Sequence, residues 1–259
     1  MPANVNFRIH DLTMLRCALR MAAVAGFSAM ALSVLAISAR ADLITNGGFE
    51  QTTNGPGEFD SFTTPTGWAS TGYNFIFASG TGDTTGSYTP QYKNDLTLWG
   101  PGDGSNNGLP ASSPDGGNYA AADGAFEIGS ISQTISGLTI GETYAVGFWW
   151  AGAQQHGYNG ATTEKWQVSF GSQTQSTPVL DNASHGFTGW TYQTLDFTAS
   201  NTSAVLSFLA VGTPNGVPPF SLLDGVSVNA IPEPMSATLV LIGLGLIARK
   251  RFKRYRGRT

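Results

Sequence analysis

The chain has 259 residues, a formal net charge of −4 and one cysteine, Cys17. The charge is unevenly placed: residues 42–231 hold fifteen of the seventeen acids against only Lys93 and Lys165, a net of −13. So acidic a segment repels phosphate backbones and excludes nucleic acid as a partner. With its one cysteine at position 17, the rest of the chain has neither disulfide nor thiol chemistry.

In chain order, Arg16 and Arg20 come first, then an apolar run over 21–37, then Ala39-Arg40-Ala41. Charge, apolar run and small-x-small residues in that order predict a cleavable signal peptide over 1–41, with Ala39 and Ala41 marking the cut. The alternative is an uncleaved anchor. Residues 42–231 amount to one domain. They show no helical periodicity; short β-rich runs alternate with Gly, Asn, Asp, Pro and Ser. After an opening segment at 42–50, strands are predicted over 73–78, 118–122, 127–135, 143–151, 165–170, 191–198, 204–211 and 221–229. In 143–151, Tyr144, Val146, Phe148 and Trp150 share one face by the two-residue period, as do Trp166, Val168 and Phe170 further on. The Gly- and Pro-rich stretches 55–67 and 100–117 read as surface loops. Many short strands between turns predict an all-β sandwich.

The last segment, 232–259, reads Pro232-Glu233-Pro234, an apolar run of 14 residues, then seven cations. As a helix the run is ~21 Å long, against about 30 Å of bilayer core. Such a helix contacts the membrane transiently, and its basic end stays cytoplasmic. An ordinary tail anchor is the alternative. The arrangement resembles the PEP-CTERM sorting signal, which implies an exosortase-type processing enzyme as partner and export to the cell envelope or extracellular space.

A looser resemblance covers the middle of the chain. Leu43-Ile44-Thr45-Asn46-Gly47-Gly48-Phe49-Glu50 with Pro65-Thr66-Gly67-Trp68, then Ile131-Ser132-Gln133-Thr134-Ile135 with Gly137-Leu138-Thr139-Ile140-Gly141-Glu142-Thr143-Tyr144, and Leu223-Asp224-Gly225-Val226 resemble carbohydrate-binding-module-type jelly rolls with a galactose-binding-like fold. That implies a jelly-roll β-sandwich between an N-terminal signal helix and a short C-terminal hydrophobic helix. It also implies a structural calcium ion at Glu50 and Asp224, with backbone carbonyls from 115–118 completing the shell.

Catalytic motifs are absent: there is no Gly-x-Ser-x-Gly and no His-Glu-x-x-His, so the chain is not expected to be an enzyme. His156 and His185, each beside glycine, read as solvated turn residues. Glu127, Glu142 and Glu164 would make a glycosidase pair only by converging in space. Six tryptophans lie in the domain, and sugar rings stack on flat aromatic faces. Most of these rings belong to the core. Trp99, at the start of the Gly/Pro loop, is the candidate glycan platform, with Trp149 and Tyr92 beside it and Tyr73 and Tyr158 behind. The expected function is a non-catalytic surface or matrix protein with weak contact to an extracellular polysaccharide. The alternatives are a purely structural matrix protein and, third, a polysaccharide hydrolase.

Overall fold

The computed structural model describes residues 42–84, 96–232 and 243. The expected signal segment with Ala39 and Ala41 and its helix, the sorting residues Glu233 and Pro234, Tyr92, and all of the expected C-terminal helix except helical Gly243 lie outside the described residues; Pro232 is exposed coil. The strands are β1 (Gly57–Glu58), β2 (Ala69–Ser70), β3 (Asn74–Phe77), β4 (Tyr119–Asp123), β5 (Ser130–Ser136), β6 (Thr143–Gln154), β7 (Thr162–Phe170), β8 (Gln173–Ser176), β9 (Leu180–Asn182), β10 (Thr191–Thr198), β11 (Ser203–Thr213) and β12 (Pro219–Ala230). One sheet runs β1-β3-β4-β12-β6-β10; the other runs β2-β5-β11-β7-β8, with β9 also on β7. Pairing between the strands is antiparallel throughout. Strands β4 to β7, and again β9 to β12, alternate between the sheets. This winding is that of a jelly-roll β-sandwich, as expected.

The strand alternation read from the sequence is the packing code of the core. Tyr144, Val146, Phe148 and Trp150 from β6 are buried against Trp166, Val168 and Phe170 from β7, with Phe208 of β11 between Phe148 and Trp166. The Trp166 indole N–H donates to the Leu222 carbonyl at 3.0 Å, tying one sheet to the other inside the core. Fully burying one such aromatic contributes about 1.5–3 kcal/mol.

Three features depart from the sequence reading. The stretch 55–67, expected as a surface loop, holds β1 and buries Phe59 and Thr63. The opening segment 42–50 forms turns, joined to β12 by the Leu43 amide on the Val228 carbonyl. The stretch 100–117 is more than a surface loop, because Leu109 and Ser113 within it are buried. The reason lies in β3, β4 and β12, which are apolar on both faces. Their outer face carries Phe75, Phe77, Tyr119, Ala121, Phe220 and Leu222, and a second core forms there with Leu96, Leu98 and Leu109. The outer face of the first sheet is therefore covered over β3, β4 and the start of β12, and left open towards β10.

Candidate functional site

Three groups of side chains fall outside plain core packing. The first lies where β12 loses its regular register, between Asp224 and Ser227. Asp224 is fully buried; its Oδ2 accepts a hydrogen bond from the Ser113 hydroxyl, while Oδ1 has no partner. Around Gly48 the acids close in. A Cβ there would stand 3.0 Å from Asp115 Oδ2, 3.7 Å from Asp224 Oδ1 and 3.8 Å from Glu50 Cγ. Glu50 Oε1 accepts from the Asn118 amide at 2.8 Å, and it lies so close to Gly117 (φ +61°) that any side chain there would collide with it. Glycine is required at 117 both for that approach and for its left-handed backbone. Burial pushes the Asp224 carboxyl up to about 8; hydrogen bonds from Ser113 and the Gly225 amide oppose this, and the charges of Asp115 and Glu50 add to it. The structure thus brings Glu50 and Asp224 to one place and adds Asp115, which sequence reading offered only as part of a carbonyl-bearing turn. Among the described residues no three His, Cys, Asp or Glu side chains are placed to hold a metal ion by themselves. Backbone carbonyls or water would have to complete any shell there.

The second group is Trp149 and its surroundings. Trp149 points to the outer face of the first sheet and is half-buried. It lies opposite Tyr192 of β10, with ring centroids 5.2 Å apart at 65°. Tyr192 is 48 % exposed and lays its hydroxyl over Gly147, where any Cβ would strike it. Register puts Thr194 opposite Gly147 and Asp196 opposite Ala145 on one side, and Ser227 and Asn229 opposite the same two residues on the other. Directly paired residues share a face. Ala145 and Gly147, the latter covered by the Tyr192 hydroxyl, therefore underlie a shallow strip, aromatic at one end and polar along both margins. Trp149 also flanks Gly225 together with Asp115 of the acid group: a Cβ on Gly225 would lie 3.0 Å from Asp115 Cγ and 3.1 Å from Trp149 Cδ1.

The third group is Trp99. It is half-buried, and its ring stacks on His185 at 3.8 Å and meets His156 edge-on at 4.3 Å. Its indole N–H donates to the Tyr158 carbonyl at 2.9 Å. The Asn107 amide donates to the carbonyls of Trp99 and His185, at 2.7 and 2.9 Å. His185 itself sits at φ 61° and donates its backbone N–H to buried Gln154. His156 Nε2 is 3.9 Å from Asp103 Oδ2. Both histidines sit in turns and are partly exposed, as expected, but beyond that they clasp Trp99. Nothing in the sequence signals that contact, since the partners stand far apart along the chain.

Glu142 and Glu164 do not converge, while Glu127 lies near Tyr73 with Glu58 and Asp123. Glu142 immediately precedes β6, whereas Glu164 abuts Gly152 near the other end of that strand, ten residues on and so about 33 Å away. Glu164 is buried in the sandwich, where burial pushes its carboxyl up to about 8. Tyr73, half-buried against Phe126 at 5.5 Å, has its phenol pushed up to about 12, first by burial and then by the nearby charges of Glu58 and Asp123.

No family model matches this chain, and no curated protein matches it. Solved structures do resemble it. A family 61 carbohydrate-binding module, TmCBM61, solved with β-1,4-galactotriose, is 16% identical over 74% of this chain and 100% of its own, with a TM-score of 0.37. The CBM22-1 xylan-binding domain of Paenibacillus barcinonensis Xyn10C is 12% identical over 75% of this chain and 97% of its own, with a TM-score of 0.35. The K3 cleaved adhesin domain of Lys-gingipain from Porphyromonas gingivalis is 10% identical over 73% of this chain and 99% of its own, with a TM-score of 0.38. So weak a likeness identifies no ligand for this chain.

Proposed function

We propose that this is an exported, non-catalytic protein whose β-sandwich makes weak contact with an extracellular polysaccharide. The observation that carries the reading is the pair of exposed Tyr192 and half-buried Trp149 beside a shallow polar strip. Solvent-facing aromatics beside hydroxyl- and amide-bearing side chains suit a sugar, whose C–H face packs on a ring while its hydroxyls bond to the margins. The test is a glycan array probed with the full chain in mild detergent; retention of folded protein supports the reading. A clean negative would favour the purely structural alternative, to which the second core over β3 and β4 already lends weight by covering much of the same face.

Two further parts belong to this reading. A calcium ion at Glu50 and Asp224 fits the donor set: all the donors are oxygen, and buried Asp224 Oδ1 has no partner. The ion would tie the opening segment to β12, and Asp115 stands beside both acids as an added oxygen donor. Export through residues 1–41, and sorting by an exosortase-type enzyme acting at Pro232-Glu233-Pro234, account for the order of charge and apolar runs at the two ends.

A further inference from the structure

Resting on the glycan reading above, the geometry points to a narrower ligand class: a single, soluble, uncharged polysaccharide chain lying along the Trp149–Tyr192 strip, rather than a crystalline surface or an acidic glycan. The two rings meet at 65°, so they cannot lie together under one flat crystal face. A flexible chain can place one residue on each ring in turn. The Tyr192 hydroxyl covers Gly147, and Ala145 beyond it is small, so the surface between the margins stays shallow and a chain would lie along it rather than in a cleft. Those margins carry the Ser227 and Thr194 hydroxyls, the Asn229 amide and the Asp196 carboxylate, which together donate to and accept from sugar hydroxyls.

Charge decides against an acidic glycan. Carboxylate and sulfate groups are held by Arg and Lys. Among the described residues the one such cation is Lys165, on β7 of the other sheet. The strip itself bears Asp196, with Asp115 beside Trp149, so a polyanion would be repelled.

The experiment is affinity electrophoresis of the full chain in gels holding soluble neutral polysaccharides (xylan, galactan, dextran) or acidic ones (alginate, polygalacturonate), with sedimentation on crystalline cellulose and chitin. Retardation by at least one soluble neutral polymer, and by neither other class, is the expected result. Tyr192→Ala should weaken it by about fivefold or more while leaving the thermal midpoint in place, and Tyr192→Phe should keep it. Should Tyr192→Ala disturb folding, Thr194→Arg serves instead: its long cation laid across the strip should also weaken retention. Binding to crystalline or acidic material, or retardation indifferent to both variants, overturns this inference while leaving the glycan reading standing. No retention on any polysaccharide by folded protein overturns both.

Discussion

Glu164 makes the physical account of this sandwich testable without any ligand. It is fully buried on β7, with Oε1 bonded to the Thr162 hydroxyl and Oε2 against Gly152. Burial pushes its carboxyl from 4.5 to about 8; hydrogen bonds from Thr162 and Asn182 oppose the shift and the charge of Asp181 adds to it. The folded state then keeps this proton where the unfolded chain has released it. Stability from this group is complete below about pH 4.5, falls as pH rises through the window, and levels off above about 8. At about 1.4 kcal/mol per pH unit, the window corresponds to a ceiling of ~5 kcal/mol; local relaxation and water entry reduce that to a few kcal/mol. Glu164→Gln keeps the shape and the acceptor for Thr162 but carries no charge at any pH. Urea unfolding of both full-length proteins between pH 5 and 8.5 should show the variant gaining on wild type by a few kcal/mol towards the alkaline end. Subtracting the two curves cancels the contributions of Asp123 and Asp224, which burial also raises. A difference that stays constant across the range, or runs the other way, would refute the argument.

Calcium at a hundred times its dissociation constant should stabilise the folded chain by about 2.7 kcal/mol, seen as a rise in thermal midpoint that a chelator reverses and Asp224→Asn abolishes. Trp99→Ala should lower that midpoint, at a cost of roughly 1–3 kcal/mol, because the ring is clasped by His156 and His185 and holds the Tyr158 carbonyl. Phe75→Ala, in the outer core, should cost about 3–5 kcal/mol in urea unfolding. Material recovered from outside an exosortase-bearing cell should begin at Asp42 by N-terminal sequencing and lack residues 235–259 by intact mass.

How much of this could be read from residues alone depended on how locally each feature is encoded. Strand β6 was legible because four large side chains recur at every second position, and that face packs inward as the period requires. Strand β8 was not: Gln173-Thr174-Gln175-Ser176 is polar throughout and pairs only because β7 lies beside it. The second core was hidden for a different reason. Leu96, Leu98 and Leu109 look like stray apolar residues among Gly and Pro until the outward faces of β3 and β12 are seen to need covering. Glu50 and Asp224 were reachable through resemblance, whereas Asp115 beside them depends on how the 113–118 turn folds. Tyr192 had no mark in the sequence, since only strand register places it against Trp149.

Register also explains why an edge strand can hold a usable surface. β10 closes the first sheet, and an unpaired edge invites another chain to add to it. Here the edge is met by side chains. Gln173 donates to the Thr198 carbonyl at 2.5 Å and accepts from its amide at 3.4 Å, while Gln175 donates to the Asp196 carbonyl at 2.6 Å. Backbone groups at that end of β10 are thus satisfied from β8, without a further strand. The strip keeps a fixed margin at Asp196, and Tyr192, four register pairs away from that end, stays open to solvent. A surface built this way has little ordering left to do when a flexible chain arrives, so its affinity depends on the few rings and hydroxyls it presents rather than on the area it covers.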